Sequence, residues 1–317
     1  MTIPFACCLN RGRNFGYTSF GMKHVLVVYK KDAYQLYVVE RQDEHLRRFL
    51  RRSPGDASDL RQGHRVHEQT IQTVIQCLKQ AGLAFDLVYR VNLRAASGYD
   101  LVISIGGDGT FLQASHVVKQ TPLLGVNSDP QRSEAVFCAA TRINFARLLK
   151  QALAGTLNQM VLSRLHVALN GRRLWPLVVN DVLITHENPA TMSRYRLRIG
   201  RHEEVHKSSG LWVATAAGSS SAILAAGGRR LTWTSTQFQY RPRELYQGRL
   251  SRGRLVGGIL PEDTVVELTS LMRRASVFID GPHVSHPFRF GDRLRIARAP
   301  GEELRVLGLR GFSGPSR

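Results

Sequence analysis

The chain predicts an α/β domain with a parallel sheet, followed by a domain of antiparallel strands. Three observations predict this. In the first half, short apolar β-branched runs alternate with helical patterning, which implies parallel pairing. After about residue 155, period-two alternation broken by turn residues takes over, the rhythm of antiparallel strands. Between them, Gly106-Gly107-Asp108-Gly109-Thr110 stands directly after an apolar run and before a helical one. At 317 residues the chain can build two cores without disulfides or metals to staple them.

The elements read in order as follows. Residues 1–21 hold no continuous apolar stretch, few acids, and Arg11 and Arg13, so they read as a disordered leader or a targeting extension rather than a signal peptide. Met22 begins a cleaner start, MKHVLVVYKK, so the leader reads as a disordered extension or as the product of an upstream start codon. His24 to Tyr29 (HVLVVY) is a buried strand. Ser53 to Gly63 is polar and holds Gly and Pro, which predicts a surface loop. Arg61 to Gly82 repeats apolar residues at helical spacing and stops at Gly82. Phe85 to Val91, Asp100 to Ile105 and Pro122 to Val126 are further strands, with a helix over Phe111 to Lys119. The second half offers strands within Leu157 to Leu169, Leu174 to Ile184, Tyr195 to Ile199, Leu211 to Thr215, Thr264 to Leu268, Ser276 to Ile279 and Arg293 to Ile296. Gly218 to Gly228 reads as one short helix among them. The expected division is a leader 1–21, an α/β domain 22–155, a β-rich domain 156–310 and a tail 311–317.

Composition excludes several classes. Hydrophobic content of 43% and charged content of 21% are globular values, not those of a disordered chain. No apolar run is long enough to span a bilayer, so no membrane partner is expected. Cys7, Cys8, Cys77 and Cys138 have no metal-ligand spacing; they suggest a reduced, cytoplasmic compartment, with Cys77 and Cys138 as small buried residues. The net charge of +20 comes from arginines spread along the chain, without a nucleic-acid-binding signature. It reads as a field that draws polyanions, nucleotide phosphates included, rather than as a nucleic-acid site. The Arg47, Arg48, Arg51, Arg52 cluster reads as a solvated face.

Three segments carry chemistry. In an open parallel sheet, ligands bind outside the carboxyl ends of strands, where the Gly106–Thr110 turn must lie. Its glycines permit close backbone approach and unusual φ angles, and its amides can cradle phosphates. The carboxylate of Asp108 would repel phosphate unless it meets a metal, a hydroxyl or a proton, so Asp108 is the candidate to orient a hydroxyl nucleophile; the bland alternative is an N-cap. Asn180-Asp181, in VVNDVLI, combines donors and acceptors suited to a ribose diol, or forms an Asx turn. Ser208 to Ser221 (SSGLWVATAAGSSS) runs a strand into a helix start crowded with hydroxyls, a second polar or anionic site. Lys207 beside it could pair with a phosphate. His283 and His286 lack an evident third ligand and fit a hairpin, so no metal ligand is assigned.

GGDGT alone is shared by several kinase families, lipid and sphingoid kinases among them. GGDGT, then ND, then SGLxVxTAAGS, in this order and spacing, resembles the NAD kinase family, and most closely its plant-type NADH kinase branch. The segments GGDGTFLQASH, LLGVNSDP, FCAAT, NDVLI, KSSGLWVATAAGS and IDGPHVSHPFRFGD carry the resemblance from about Met22 to Leu309. It implies a Rossmann-like α/β domain, a C-terminal β-rich domain and a dinucleotide in the cleft between them. The implied reaction moves the γ-phosphoryl group of ATP, with Mg²⁺ or another divalent cation, to the 2′-hydroxyl of the adenosine ribose of NAD⁺ or NADH. Asp108 matches the catalytic aspartate; Gly109, Asn180, Asp181, Thr215, Ser220, Ser221 and Ala225 match dinucleotide-binding positions; Gly106, Gly107 and Thr110 complete the phosphate turn. A homo-oligomer, dimer or tetramer, is implied. The alternatives are a lipid kinase or a non-catalytic nucleotide- or nucleic-acid-binding protein. Relatives commonly carry Glu at Asp181, Asp at Ser209 and Tyr at Ala222. An Asp within ~4 Å of the cationic NAD⁺ ring would attract it by about 1–4 kcal/mol. Ser209 lacks that charge, which predicts ready acceptance of NADH.

Overall fold

A computed structural model describes residues 21–248 and 253–311. The expectations for the leader, Gly21 aside, and for the tail beyond Gly311 lie outside the described residues, as do Cys7 and Cys8.

The first half supplies strands β1 (His24–Tyr29), β2 (Ala84–Tyr89), β3 (Leu101–Gly106), β4 (Leu123–Asn127) and the two-residue β5 (Ala140–Thr141), with helices α1 (Glu44–Arg52), α2 (Pro54–Gln80), α3 (Asp108–Ser115) and α4 (Phe145–Leu153). β1 pairs in parallel with both β2 and β3, and β3 with β4. Successive residues of a strand face opposite sides. Val25 and Val27 therefore pack under Ile71, Val74 and Leu78 of α2, while Leu26 and Val28 pack under Phe111 and Leu112 of α3. That double burial is why β1 and β3 read as largely apolar runs, Ser104 being a buried polar exception in β3.

The second half adds β6 (Gln159–Leu162), β7 (Leu165–Leu169), β8 (Arg172–Arg173), β9 (Asp181–His186), β10 (Ser193–Ile199), β11 (His202–Ser208), β12 (Gly210–Thr215), helix α5 (Ala222–Ala225), β13 (Phe238–Arg243), β14 (Gly258–Leu260), β15 (Val266–Ser270), β16 (Ala275–Ile279), β17 (Val284–Pro287), β18 (Arg293–Arg298) and β19 (Leu304–Leu307). Two six-stranded sheets result, in the orders β11-β10-β15-β18-β7-β8 and β14-β13-β12-β9-β16-β17. Their pairings are antiparallel, and inward residues such as Val167, Leu197, Val213 and Val277 share one core.

The sheets do not follow a single cut at residue 155. The first sheet runs β2-β1-β3-β4-β19-β6, so 159–162 and 304–307 belong with the first half. Arg164 marks the crossing. It is 1% exposed and donates to the carbonyls of Val118, Lys119, Glu302 and Glu303. Burial brings its pKa down to about 10.

Residues 54–63 form no loop; they are the first turns of α2, with Pro54 at the first helical position, where its missing N–H costs nothing. Gly63 lies within this helix, where a Cβ would make only an ordinary contact, 3.4 Å from Asp129 Oδ2. The arginine cluster lies on α1, capped by Asp43, whose side chain accepts from Leu46 N at 2.9 Å. Gly218 to Gly228 divides into a 3₁₀ turn, Ala217–Ser220, and α5. Cys77 and Cys138 are half-buried rather than fully buried.

Candidate functional site

Gly107 is the N-cap of α3, and Asp108 takes the first helical position, not the cap. The glycines are needed for closeness, not for φ: those with left-handed φ lie elsewhere in the chain. A Cβ on Gly106 would meet Thr110 Oγ1 at 2.3 Å, and one on Gly107 would meet Ser133 Oγ at 3.0 Å. The Asp108 carboxylate accepts from the amides of Val136 (3.1 Å) and Phe137 (2.9 Å). Burial pushes its pKa up, the two amides oppose that, and Glu134 adds to it. The result is a fixed, half-buried carboxylate with acceptor capacity left over, suited to a substrate hydroxyl. Gly109 is exposed, and a Cβ there would lie 3.8 Å from the Arg90 guanidinium.

Asn180 precedes β9 and Asp181 opens it. Their backbone is shaped by Asp280, at the turn between β16 and β17. Asp280 Oδ1 accepts from Asn180 N (2.7 Å) and Asp181 N (3.1 Å), and Oδ2 accepts from Val179 N and His116 Nε2, both at 3.0 Å. His116 is the C-cap of α3. The helix that begins at Asp108 therefore ends on a buried bond to the other domain. Sequence reasoning missed this pair, seeing Asp280 only as part of a hairpin. Asp181 accepts from Asn180 Nδ2 at 3.1 Å and Ser221 Oγ at 3.0 Å. Burial, with Asp280 adding to it, pushes its pKa up to about 7.

Thr215 ends β12 and points inward: its hydroxyl donates to Val179 O at 2.6 Å and accepts from Gly218 N at 3.0 Å. Gly218 is obligatory, since a Cβ would lie 2.0 Å from Asn180 O. Ser220 is half-buried beside Ser221, and Ala225 is exposed on α5. These motifs share one place. Phe111 and Leu112 of α3, Val179, Ala217 and Trp233 belong to a single cluster, in which Phe137 stacks on Phe111 at 5.1 Å and meets Trp233 at 5.4 Å. Lys207 and Ser209 are not brought there. Both precede β12, and Ser209 stands roughly 20 Å from Thr215 by strand rise. Lys207 is exposed on the edge strand β11, opposite Arg194.

Sequence reasoning also missed residues beyond β1. His64 Nδ1 donates to Asp32 Oδ2 at 2.7 Å, and with Glu68 these are the described residues whose ligand atoms lie within 4.8 Å of one another. His67 Nε2 bonds Lys30 O at 2.7 Å. His64 and His67 sit three residues apart on a helix, a repeat that could have flagged them. β16 and β17 pair as the hairpin expected around His283.

A family model described as the ATP-NAD kinase N-terminal domain matches residues 25–156. A probable NADH kinase of Oryza sativa subsp. japonica is 37% identical over 256 residues, covering 74% of this chain and 79% of that protein. The NADH kinase of Arabidopsis thaliana is 30% identical over 258 residues, covering 74% and 81%. Human mitochondrial NAD kinase 2 is 29% identical over 205 residues, covering 60% and 46%. Two solved structures share the fold. An Archaeoglobus fulgidus NAD kinase in complex with ATP superposes with a TM-score of 0.62 at 21% identity, covering 89% of this chain and 92% of that one. Yeast NADH kinase complexed with NADH gives 0.66 at 13% identity, covering 90% and 83%.

Proposed function

The chain belongs to the NAD kinase family, and from that premise we propose how its residues divide the work. The protein is a phosphotransferase, an NAD(H) kinase that moves the γ-phosphoryl group of ATP to the 2′-hydroxyl of the adenosine ribose of NADH or NAD⁺. Asp108 orients that hydroxyl and takes its proton. The observation that carries this is its carboxylate, held by the Val136 and Phe137 amides at the mouth of the glycine turn. Gly106, Gly107, Gly109 and Thr110 form the turn along the path of the phosphates, the Thr110 amide itself donating to Gly107 O at 3.0 Å, and the Arg90 guanidinium stands beside Gly109. Asn180, Asp181, Ser220, Ser221 and Ala225 face the dinucleotide. Thr215 acts at one remove, by tying residues 179, 180 and 218 together.

A divalent cation such as Mg²⁺ takes oxygen ligands and keeps several waters, so it needs few protein donors. The Asp108 carboxylate, close enough to Glu134 to be perturbed by it, fits that need. The cation would neutralise the transferring phosphates. Phosphoryl transfer otherwise depends on positioning and an oriented nucleophile, which the rigid turn supplies. Cytoplasmic residence belongs to the reading through the cysteine usage, and a dimer or tetramer through the family resemblance; Lys207 and Ser209, which stand before β12, would join the site only where the dinucleotide extends along that strand. Nothing favours the lipid kinase or a nucleic-acid ligand, and no described helix is long and apolar enough to cross a membrane.

The test crosses NAD⁺ and NADH with ATP and polyphosphate in initial-rate assays, for the wild type and for Asp108→Asn. The variant should stay folded and lose about two orders of magnitude or more in kcat. Retention of more than about a tenth of wild-type kcat would remove Asp108 from the role of base.

A further inference from the structure

The outer face of the sheet β11-β10-β15-β18-β7-β8 carries a cavity of about 650 Å³, within the range of small-molecule sites. It lies away from the substrates. Leu197, Leu268 and Leu294 point the other way, into the core shared with Val182 and Val213 of the sheet that carries Asp181. Strand alternation fixes what faces outward. Arg194, Arg196 and Arg198 alternate with buried residues along β10, and Arg293 and Arg295 do so along β18. β15 runs between these two strands and places Glu267 and Thr269 on the same face.

Two rows of residues cross the sheet here. In one, Glu267 stands between Arg198 and Arg295. Its carboxylate is shared: Oε2 pairs with Arg198, and Oε1 lies 3.3 Å from Arg295 Nε. In the next row, two residues along, Thr269 stands between Arg196 and Arg293. The pair of arginines repeats and the carboxylate does not. Two strand spacings, about 10 Å, separate Arg196 from Arg293, with only a hydroxyl side chain between them. Arg196 leans to Glu203 at 3.3 Å, a pair about half exposed that adds little. Arg293 has no carboxylate partner among the described residues. Arg194, with Lys207 opposite it on β11, extends the positive field. Around Thr269, four cations (Arg194, Arg196, Arg293 and Lys207) therefore face Glu203 and a Glu267 already shared by two other arginines.

Glu267 shows what this surface holds: an anion set between two guanidinia. A phosphate suits the Thr269 row better than a carboxylate does. At neutral pH it brings close to two negative charges and three acceptor oxygens. Those oxygens can accept from a guanidinium on each side and from the Thr269 hydroxyl beneath. We propose that this row binds a phosphate-bearing small molecule, at a site separate from both substrates of the kinase reaction. The phosphate sits over Thr269, as the Glu267 carboxylate sits one row away, and Arg196 and Arg293 hold it from either side. Gly171 and Gly291 flank the cavity with open space beside them, which leaves room for the rest of the ligand.

The test is calorimetric titration of inorganic pyrophosphate into the full-length wild type, Arg293→Ser, Thr269→Glu and a control, Arg305→Ser, whose arginine is exposed on β19 of the first sheet. Any pyrophosphate held at the glycine turn is common to all four proteins. Wild type and Arg305→Ser should bind one pyrophosphate more than Thr269→Glu, whose carboxylate fills the row from within. In Arg293→Ser that additional site should weaken about tenfold or more, the loss of one charge-assisted partner. Thr269→Glu should also melt at a higher temperature than wild type without phosphate. KM for ATP and for NADH should stay within twofold of wild type in every variant. Equal pyrophosphate binding by wild type and Arg293→Ser would overturn the proposal. So would survival of the additional site in Thr269→Glu, or a rise in either KM that tracks its loss. An equal loss in Arg305→Ser would reduce the effect to the general attraction of a basic protein and overturn it too. Phosphatidylcholine vesicles containing phosphatidic acid present the same group on a surface. Their capture of the wild type but not of Arg293→Ser would give the row to a lipid headgroup and overturn the small-molecule assignment.

Discussion

Asp181 titrates near 7 rather than near the ordinary 3.8, so the folded protein holds a proton that the unfolded chain has released. Stability from this group is therefore largest below about pH 4 and declines as pH rises towards 7. Asp181→Asn should raise the thermal midpoint at pH 8 and leave it almost unchanged at pH 4; an equal gain at both pH values would show that the carboxyl is not the cause. Binding runs the other way, because only the ionised carboxylate accepts from both ribose hydroxyls. KM for the dinucleotide should fall as pH rises through 7, and flatten in the variant. Ser209 behaves differently. A severalfold shift towards NAD⁺ in Ser209→Asp requires the nicotinamide ring within about 4 Å. At the roughly 20 Å that separates Ser209 from Thr215, a new charge is worth only about 0.2 kcal/mol in water. The expected outcome is a ratio of kcat/KM for NADH and NAD⁺ within twofold of wild type. A severalfold change would mean that the nicotinamide end extends along β12.

At the scale of elements, the buried bond between Asp280 and His116 fixes how α3 meets β9. Asp280→Ala would strand three amides and an imidazole, a loss of about 3–5 kcal/mol by analogy with other broken buried pairs. His116 allows a finer measurement. His116→Gln keeps a donor near the position of Nε2 and should retain wild-type KM for the dinucleotide, whereas His116→Leu should raise it and spare KM for ATP; equal behaviour of the two variants would reduce the bond to packing. The legibility of the sequence follows the same lines. β1, β3 and β4 were readable because burial on both faces leaves a largely apolar run, and GGDGT because steric closeness demands glycine. Residues 54–63 were not, since polar residues on an exposed helix look like a loop. Asp280 and His116 were hidden for a different reason: their partners are 99 to 164 residues away, and no local pattern records such a bond.

At the scale of the molecule, the two domains are not separable units. Leu304 and Val306 are fully buried in the first sheet, where β19 lies between β4 and β6. A fragment ending at residue 155 would expose Leu123 and Leu124 along an open strand edge, the arrangement that invites aggregation. Truncation after Ala299 should give insoluble protein, or a chain without a cooperative melt; a soluble, cooperatively melting fragment would show that β19 is dispensable. Arg164 closes the same junction through four carbonyls, so Arg164→Met should destabilise both halves in one transition rather than two. The position of β19 also bears on synthesis. A domain ordinarily folds as soon as it leaves the ribosome. Here the β4 edge of the sheet that carries Asp108 waits unpaired until residues 304–307, about 180 residues further along the chain, have emerged. The nascent chain must keep that edge protected in the meantime, which makes this protein a candidate client for chaperones that shield exposed strands during translation.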